Sequence, residues 1–229
     1  MSRHRLLDLF CCAGGAGMGY HQAGFEVVGV DINPRKRYPF EFIQADALSL
    51  SPEFLASFDA IHASPPCQAY TALRHAPGAK STHLRLIGAT RAMLRVAGKP
   101  YIIENVEDAR AAMEEPVLLC GSMFGLGAQG CQLQRHRLFE SNIPLRAPRL
   151  CDHGGPVIGV YGGHARKRSA AHGGRKTRDD WQGGHIAAAS EAMGMDWATL
   201  AEMSEAIPPA YTHWLGLQLI EALTEARAA

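Results

Sequence analysis

Ser64-Pro65-Pro66-Cys67-Gln68 sets a thiol directly behind two prolines at the end of a short apolar run. Proline fixes the backbone, so Cys67 is held in one defined, accessible place, as a nucleophile requires. A buried, inert cysteine is the ordinary alternative, and it is the reading kept for Cys11, Cys12, Cys120, Cys131 and Cys151. Glu104-Asn105-Val106 follows the apolar run Tyr101-Ile102-Ile103. A carboxyl there is partly desolvated, which raises its pKa and lets it donate a proton or hydrogen bond near neutral pH. The plainer alternative has Asn105 capping a helix over residues 107–113. Arg135-His136-Arg137 puts two guanidinium groups on one side of a strand, suited to an anion or a carbonyl oxygen, with a solvated edge strand as its alternative.

Asp8-Leu9-Phe10-Cys11-Cys12-Ala13-Gly14-Gly15-Ala16-Gly17 is an apolar run passing into a glycine-rich turn, where missing side chains let a ligand approach the backbone. The dinucleotide pattern G-x-G-x-x-G does not fit, because its last position falls on Tyr20 when counted from Gly15 and on Gln22 when counted from Gly17. Asp31 follows 14 residues after Gly17 at the end of the next apolar run, placed to accept hydrogen bonds from a ribose. That favours a nucleoside-type cofactor over a plain tight turn.

These side chains need elements to carry them. Residues 5–10, 25–30, 42–45, 59–63 and 101–103 read as strands, and residues 14–17, Asp31, Asp46, residues 65–68 and Glu104-Asn105 each stand just after one. Leu86, Ala89, Met93, Leu94 and Ala97 share one helix face that Pro100 ends, and Leu215, Leu219, Ala222, Leu223 and Ala226 mark a last amphipathic helix. The alternation predicts an α/β, doubly wound fold with a largely parallel sheet and ligands at the carboxyl ends of its strands. From Cys151 to about Ser190 the chain is rich in Gly, His, Arg and Lys without apolar periodicity, and reads as an extended loop or small irregular insertion. Within it, residues 164–178 hold six Lys or Arg and no acid, the expected footprint of phosphate binding, with a solvated loop as the alternative.

The 229 residues are 47% hydrophobic and 20% charged, which excludes a mini-protein and a low-complexity chain. Lys and Arg number 23 against 22 Asp and Glu, so the net charge of +1 by itself points to no charged partner. The six cysteines include no C-x-x-C pair and no recurring His spacing, so no metal site is expected. No apolar run approaches the roughly 18 residues of a membrane span or follows the charged N-terminus as a signal would. A cytoplasmic, monomeric protein with reduced thiols is expected.

In this order the segments resemble the DNA (cytosine-5)-methyltransferase family, over residues 5–140 and again over about 191–220. The resemblance implies a Rossmann-like S-adenosylmethionine (SAM)-dependent fold, with a catalytic domain over 1–140 and 191–229 and a small, irregular target-recognition segment over 141–190. It makes Cys67 the nucleophile, and gives Glu104 the target base, assisted by Arg135 and Arg137, with Gln68 and Asn105 also on the substrate. It assigns the cofactor to Phe10, Ala13, Gly14, Gly15, Gly17, Asp31, Ile32, Asp46, Ala47, Pro66 and Ile207, the last within a closing motif, Ala206-Ile207-Pro208-Pro209. DNA is the implied partner, with the target cytosine flipped from the duplex and Arg166, Lys167 and Arg168 on phosphates. Cys12 stands where the family usually has Gly, and Glu205 where it usually has Asn. The short recognition segment resembles compact, bacteriophage-encoded members, with a role in restriction-modification or anti-restriction. The alternatives are a tRNA cytosine methyltransferase, a catalytically silent DNA-binding module, and a dinucleotide oxidoreductase, which the glycine spacing disfavours.

Overall fold

The structure, a computed structural model, describes residues 3–70, 84–168 and 179–228. In chain order the first half alternates β1 (Arg5–Leu9), α1 (Gly15–Ala23), β2 (Glu26–Asp31), β3 (Glu41–Gln44), α2 (Pro52–Ala56), β4 (Ala60–Ala63), α3 (Ile87–Ala97) and β5 (Tyr101–Asn105). The second half carries β6 (Val117–Leu119), β7 (Gly127–Ala128), β8 (Cys131–Leu133), β9 (Arg137–Ser141), β10 (Val157–Tyr161), β11 (His164–Arg168), α4 (Gly184–Met193), α5 (Leu200–Glu205) and α6 (Pro209–Ala228).

Seven strands form the main sheet in the order β3-β2-β1-β4-β5-β9-β6, with β1 to β5 parallel and β9 antiparallel to both neighbours. This is the doubly wound α/β fold that the alternation predicts. Successive residues of the central strands face opposite sides, as the pleat demands. Leu6, Val27, Ala60 and Ile102 pack with α1 and α6 through Tyr20, Tyr211, Leu215 and Leu219. Leu7, Val28, Ile61 and Ile103 pack on the other face with α2 and α3 through Leu55, Ile87 and Leu94. Because the strand order reverses at β1, a crevice opens beyond the carboxyl ends of β1 and β4, the switch point at which such sheets bind ligands. The last helix begins well before residue 215, since Pro209 suits a first helical position and Tyr211 continues the buried stripe.

The segment after Cys151 corrects the expectation of irregular structure. Strands β10 and β11 form an antiparallel hairpin, and β10 lies parallel to β8, giving a second sheet in the order β11-β10-β8-β7. Ile158, Val160 and Ala165 bury against Ala188, Ala192 and Met193 of α4 and Met203 of α5. The periodicity was illegible because β11 is an edge strand with one fully buried apolar side chain, Ala165, among charged ones, and charge on an edge strand blocks further pairing. Its order comes from remote partners: the Trp181 indole N–H donates to the Ala165 carbonyl at 3.0 Å, and the Lys167 amide donates to Asp179 at 2.9 Å.

Candidate active site

One cavity of about 790 Å³ runs along the carboxyl ends of β1, β2, β4 and β5, within the size range of small-molecule sites. Its walls include the glycine-loop residues Phe10, Cys12 and Gly15 at one end and Cys67, Glu104 and Arg137 at the other. The two halves of the predicted chemistry therefore share a single space.

At the far end, Glu104 projects from β5, and the pairing of Asn105 with Leu138 brings Arg137, the first residue of β9, beside it. Arg137 Nε lies 3.0 Å from Glu104 Oε1, with both side chains largely buried. Burial pushes the Glu104 pKa up, against the pull of Arg137, Arg135 and a hydrogen bond from Ser64. Burial first, and then the charge of Glu104, push the Cys67 thiol up, while Arg137 opposes them. A negative charge on either group thus disfavours one on the other, so a proton held by Glu104 favours the thiolate at Cys67.

Behind this pair runs a buried hydrogen-bonded chain that sequence reading missed. The Tyr20 hydroxyl lies 2.9 Å from His62 Nδ1, and His62 Nε2 lies 2.8 Å from the Ser64 hydroxyl, which reaches Glu104. Complete burial lowers the His62 pKa to about 3, so the ring is neutral and has one donor and one acceptor nitrogen. An ionised Glu104 only accepts, which orients the chain as Tyr20 to His62 to Ser64 to Glu104. The available signal was a histidine in the middle of the apolar strand Ala60-Ile61-His62-Ala63.

The near end is shaped by the loop after β1. Phe10 and Cys12 adopt left-handed backbone at φ 57 and 47, as does Gly14 at φ 79. Cys12 thus takes a conformation that glycine adopts without steric cost, and its amide donates to Asp31 at 3.1 Å. At Gly15 the missing side chain makes room for protein rather than for a ligand, since a Cβ would stand 2.3 Å from the Ile207 carbonyl. Asp31 lines the cavity, yet its carboxylate already accepts from the Cys12 and Asn33 amides and pairs with Arg35 at 3.0 Å. Arg35, unsuspected from sequence, is therefore part of the site. Asp46 accepts from the Leu48 amide at 3.0 Å, and Asp46, Ala47 and the exposed Ile32 also line the cavity. Beneath the loop Asp8 is fully buried, hydrogen-bonded to Tyr38 at 3.1 Å, and pushed up to about 7 by desolvation. Its Oδ1 has no partner.

Several expected site residues stand elsewhere. Arg135 is fully buried and does not line the cavity; its guanidinium donates to the carbonyls of Ala206, Val160 and Ser204 at 3.1, 2.8 and 2.7 Å. It fastens the closing segment and the second sheet to the core rather than contacting a base. Asn105 is buried with its amide on the Pro65 carbonyl at 2.8 Å, and it caps nothing in the 3₁₀ turn Glu107–Ala112. Ala13, Gly14 and Gly17 lie outside the cavity wall, and the Ala13 carbonyl accepts from the Trp197 indole at 2.8 Å. Pro66, Gln68 and Ile207 line it, the first two exposed. Arg166, Lys167 and Arg168 belong to β11, with the Lys167 ammonium on Asp180 at 2.6 Å and over the Trp181 ring at 4.7 Å. The basic positions 175, 176 and 178 lie outside the described residues.

The model of C-5 cytosine-specific DNA methylases matches residues 4–118, half of the chain, and spans the glycine loop, Cys67 and Glu104. The chain belongs to this family. It is a SAM-dependent cytosine-5 methyltransferase. In fold the enzyme resembles the S. pombe Dnmt2 methyltransferase, with a TM-score of 0.57 at 14% identity, covering 97% of this chain and 99% of that one. It also resembles the Entamoeba histolytica methyltransferase EhMeth, with a TM-score of 0.61 at 11% identity over 97% and 99% of the two chains. No curated protein sequence matches the enzyme. Among its described residues no helix is long and apolar enough to cross a membrane.

The near end of the cavity fits SAM. The carboxylates of Asp8, Asp31, Asp46 and Glu205 lie along it, suited to a ligand that is cationic at sulfur and amine and offers ribose and adenine donors. The unpartnered Asp8 Oδ1 supplies one acceptor that the protein leaves unused, and Ile32 offers an apolar edge for a purine ring.

Proposed function

We propose that the enzyme methylates C5 of cytosine in DNA through a covalent bond between Cys67 and C6 of a base turned out of the duplex. The observation that carries this reading is the shared cavity: Cys67, Glu104 and Arg137 border the same space as the glycine loop. Cytosine C5 is too weak a nucleophile to be methylated unaided. Attack of the Cys67 thiolate at C6 forms the S–C6 bond and moves the C5=C6 electron pair toward C5. In its protonated form, which burial favours and Arg137 opposes, Glu104 donates to N3 as electron density enters the ring. Arg137 holds Glu104 in place and faces the base carbonyl. SAM, when bound, supplies an electrophilic methyl group. Transfer of the C5 proton to a base, here solvent water, then restores the C5=C6 bond and expels the Cys67 thiolate, while N3 returns its proton to the Glu104 carboxylate.

The base must leave the stack for Cys67 to reach C6. The hairpin of β10 and β11, with Arg166 on its edge strand, is the proposed phosphate-contacting element of a compact recognition segment, residues 141–190, beside the catalytic parts 1–140 and 191–229. Incubating the enzyme with labelled SAM and either duplex DNA or tRNA, then digesting to nucleosides, tests the substrate. The reading predicts 5-methylcytosine in DNA; label confined to tRNA would overturn the choice of DNA.

A further inference from the structure

Cys120, His136, Cys151 and His153 come from three separate stretches of chain and meet next to the start of β9, and none of them lines the catalytic cavity. One ligand atom from each lies within 4.8 Å of all the others. His136 Nε2 stands 3.2 Å from His153 Nε2, and Cys120 Sγ stands 3.4 Å from His153 Nε2. With Zn–N near 2.0 Å and Zn–S near 2.3 Å, a tetrahedral zinc site requires nitrogen pairs about 3.3 Å apart and sulfur–nitrogen pairs about 3.5 Å apart. The two resolved spacings are therefore close to those of zinc ligands around a common centre.

The surroundings prepare these atoms for a metal. His136 Nδ1 lies 2.8 Å from the Glu107 carboxylate, so Nδ1 carries the proton and the Nε2 lone pair points at the cluster. The Ser122 hydroxyl donates to Cys120 Sγ at 3.3 Å and accepts from the Asp152 amide at 3.2 Å, tying the Cys120 turn to the stretch that holds Cys151 and His153. An ordinary hydrogen bond between the two imidazoles uses one pair of these atoms and gives no reason for two thiols from remote segments to join them.

We propose that Cys120, His136, Cys151 and His153 form a structural zinc site with all four positions filled by protein. The linear sequence concealed it, because Cys120 and His136 are 16 positions apart and Cys151 and His153 are separated by a single residue, a spacing unlike that of common zinc motifs. The site would clamp three stretches: the turn after β6, the residue before β9, and the approach to the second sheet. His136 adjoins Arg137, and Glu107 lies three residues after Glu104, so the metal would brace both partners of the catalytic ion pair.

The test is elemental analysis of the full-length enzyme after growth with zinc and gel filtration, followed by replacement of the metal with Co(II). Close to one zinc per chain is expected, together with tetrahedral Co(II) ligand-field bands and thiolate-to-cobalt charge transfer. Cys151 is exposed, so Cys151→Ser removes a ligand without opening the core. That variant, with an unchanged circular dichroism spectrum, should lose about half of the charge-transfer intensity and the zinc that survives chelator treatment in the wild type. Cys131→Ser should change neither. Zinc near zero per chain with no cobalt bands in the folded wild type, or full zinc retention by Cys151→Ser, would overturn the proposal.

Discussion

The Asn105 side-chain amide donates to the Pro65 carbonyl at 2.8 Å, so one buried hydrogen bond joins the strand that carries Glu104 to the loop that carries Cys67. Asn105 Oδ1 meanwhile accepts from the Val106 amide at 3.0 Å. Substitution by Ala leaves a buried carbonyl without its partner, at a cost of about 1–3 kcal/mol. Asn105→Ala should lower kcat more than it raises the KM for SAM, because it loosens the thiol relative to the base pocket and leaves the glycine loop alone. Steady-state kinetics beside thermal melts check this.

The two arginines of Arg135-His136-Arg137 should fail in different ways. Arg135→Ala leaves two buried carbonyls and one half-buried carbonyl without their donor and should lower Tm sharply, with weaker SAM binding because the closing segment loses its fastener. Arg137→Ala should leave SAM binding near wild type, lower Tm because buried Glu104 loses its partner, and lower kcat by roughly 100-fold or more, in the range of a lost electrostatic stabiliser. Calorimetry and single-turnover rates on both variants separate the roles.

Glu104 and Cys67 titrate against each other. Since burial and the Glu104 charge raise the thiol pKa, alkylation of Cys67 by iodoacetamide should still be rising with pH above the ordinary thiol range. Glu104→Gln removes a negative neighbour and should shift that profile to lower pH; Arg137→Ala removes a positive one and should shift it to higher pH. Mass spectrometry of the Cys67 peptide distinguishes it from the other five cysteines.

Asp8 links stability and cofactor binding to pH. Its carboxyl is raised from an ordinary 3.8 to about 7 in the fold, so between those values the native state holds a proton that the unfolded chain has lost. Its contribution to stability is complete below about 3.8 and disappears as pH rises through about 7. Asp8→Asn should therefore raise Tm more at pH 8 than at pH 5. A cationic ligand favours the ionised form, so wild-type SAM affinity should climb with pH up to about 7 and that of Asp8→Asn should stay flat. Titration calorimetry at several pH values reads both.

On the hairpin, Arg166 and Lys167 should separate. Arg166→Ala should reduce the slope of log affinity for DNA against log salt by about 1 if the side chain meets a phosphate. Lys167, already held by Asp180 and Trp181, should leave the slope unchanged and cost about 0.5–1 kcal/mol of stability on removal.

The strands and the groups at their ends were readable because parallel strands buried on both faces are short apolar runs, and a polar residue at such an end stands out. Asp31, Cys67 and Glu104 all announce themselves this way. Pairings made across the fold do not. Arg135 and Arg137 look alike in sequence, and only the positions of Ala206, Val160 and Ser204 make one a brace while the other stays in the cavity. Gly15 lines the cavity as its sequence suggests, but the reason it must be glycine, the Ile207 carbonyl in the space of a Cβ, lies 192 positions away. The hairpin hid because its order depends on Trp181 and Asp179, residues beyond the strand itself, and His62 matters through Tyr20, 42 residues away.

The covalent bond at Cys67 is tested most directly with duplex DNA carrying 5-fluorocytosine at target positions. Fluorine at C5 does not leave as a proton does, so the adduct persists after the methyl group is added. With SAM present, the wild-type enzyme should form a denaturant-resistant complex whose peptide map places the DNA on Cys67, and Cys67→Ala should bind SAM yet form none. A folded, SAM-binding wild type that methylates cytosine in DNA without trapping the fluorinated duplex, or a DNA adduct on any other residue, would contradict the assignment.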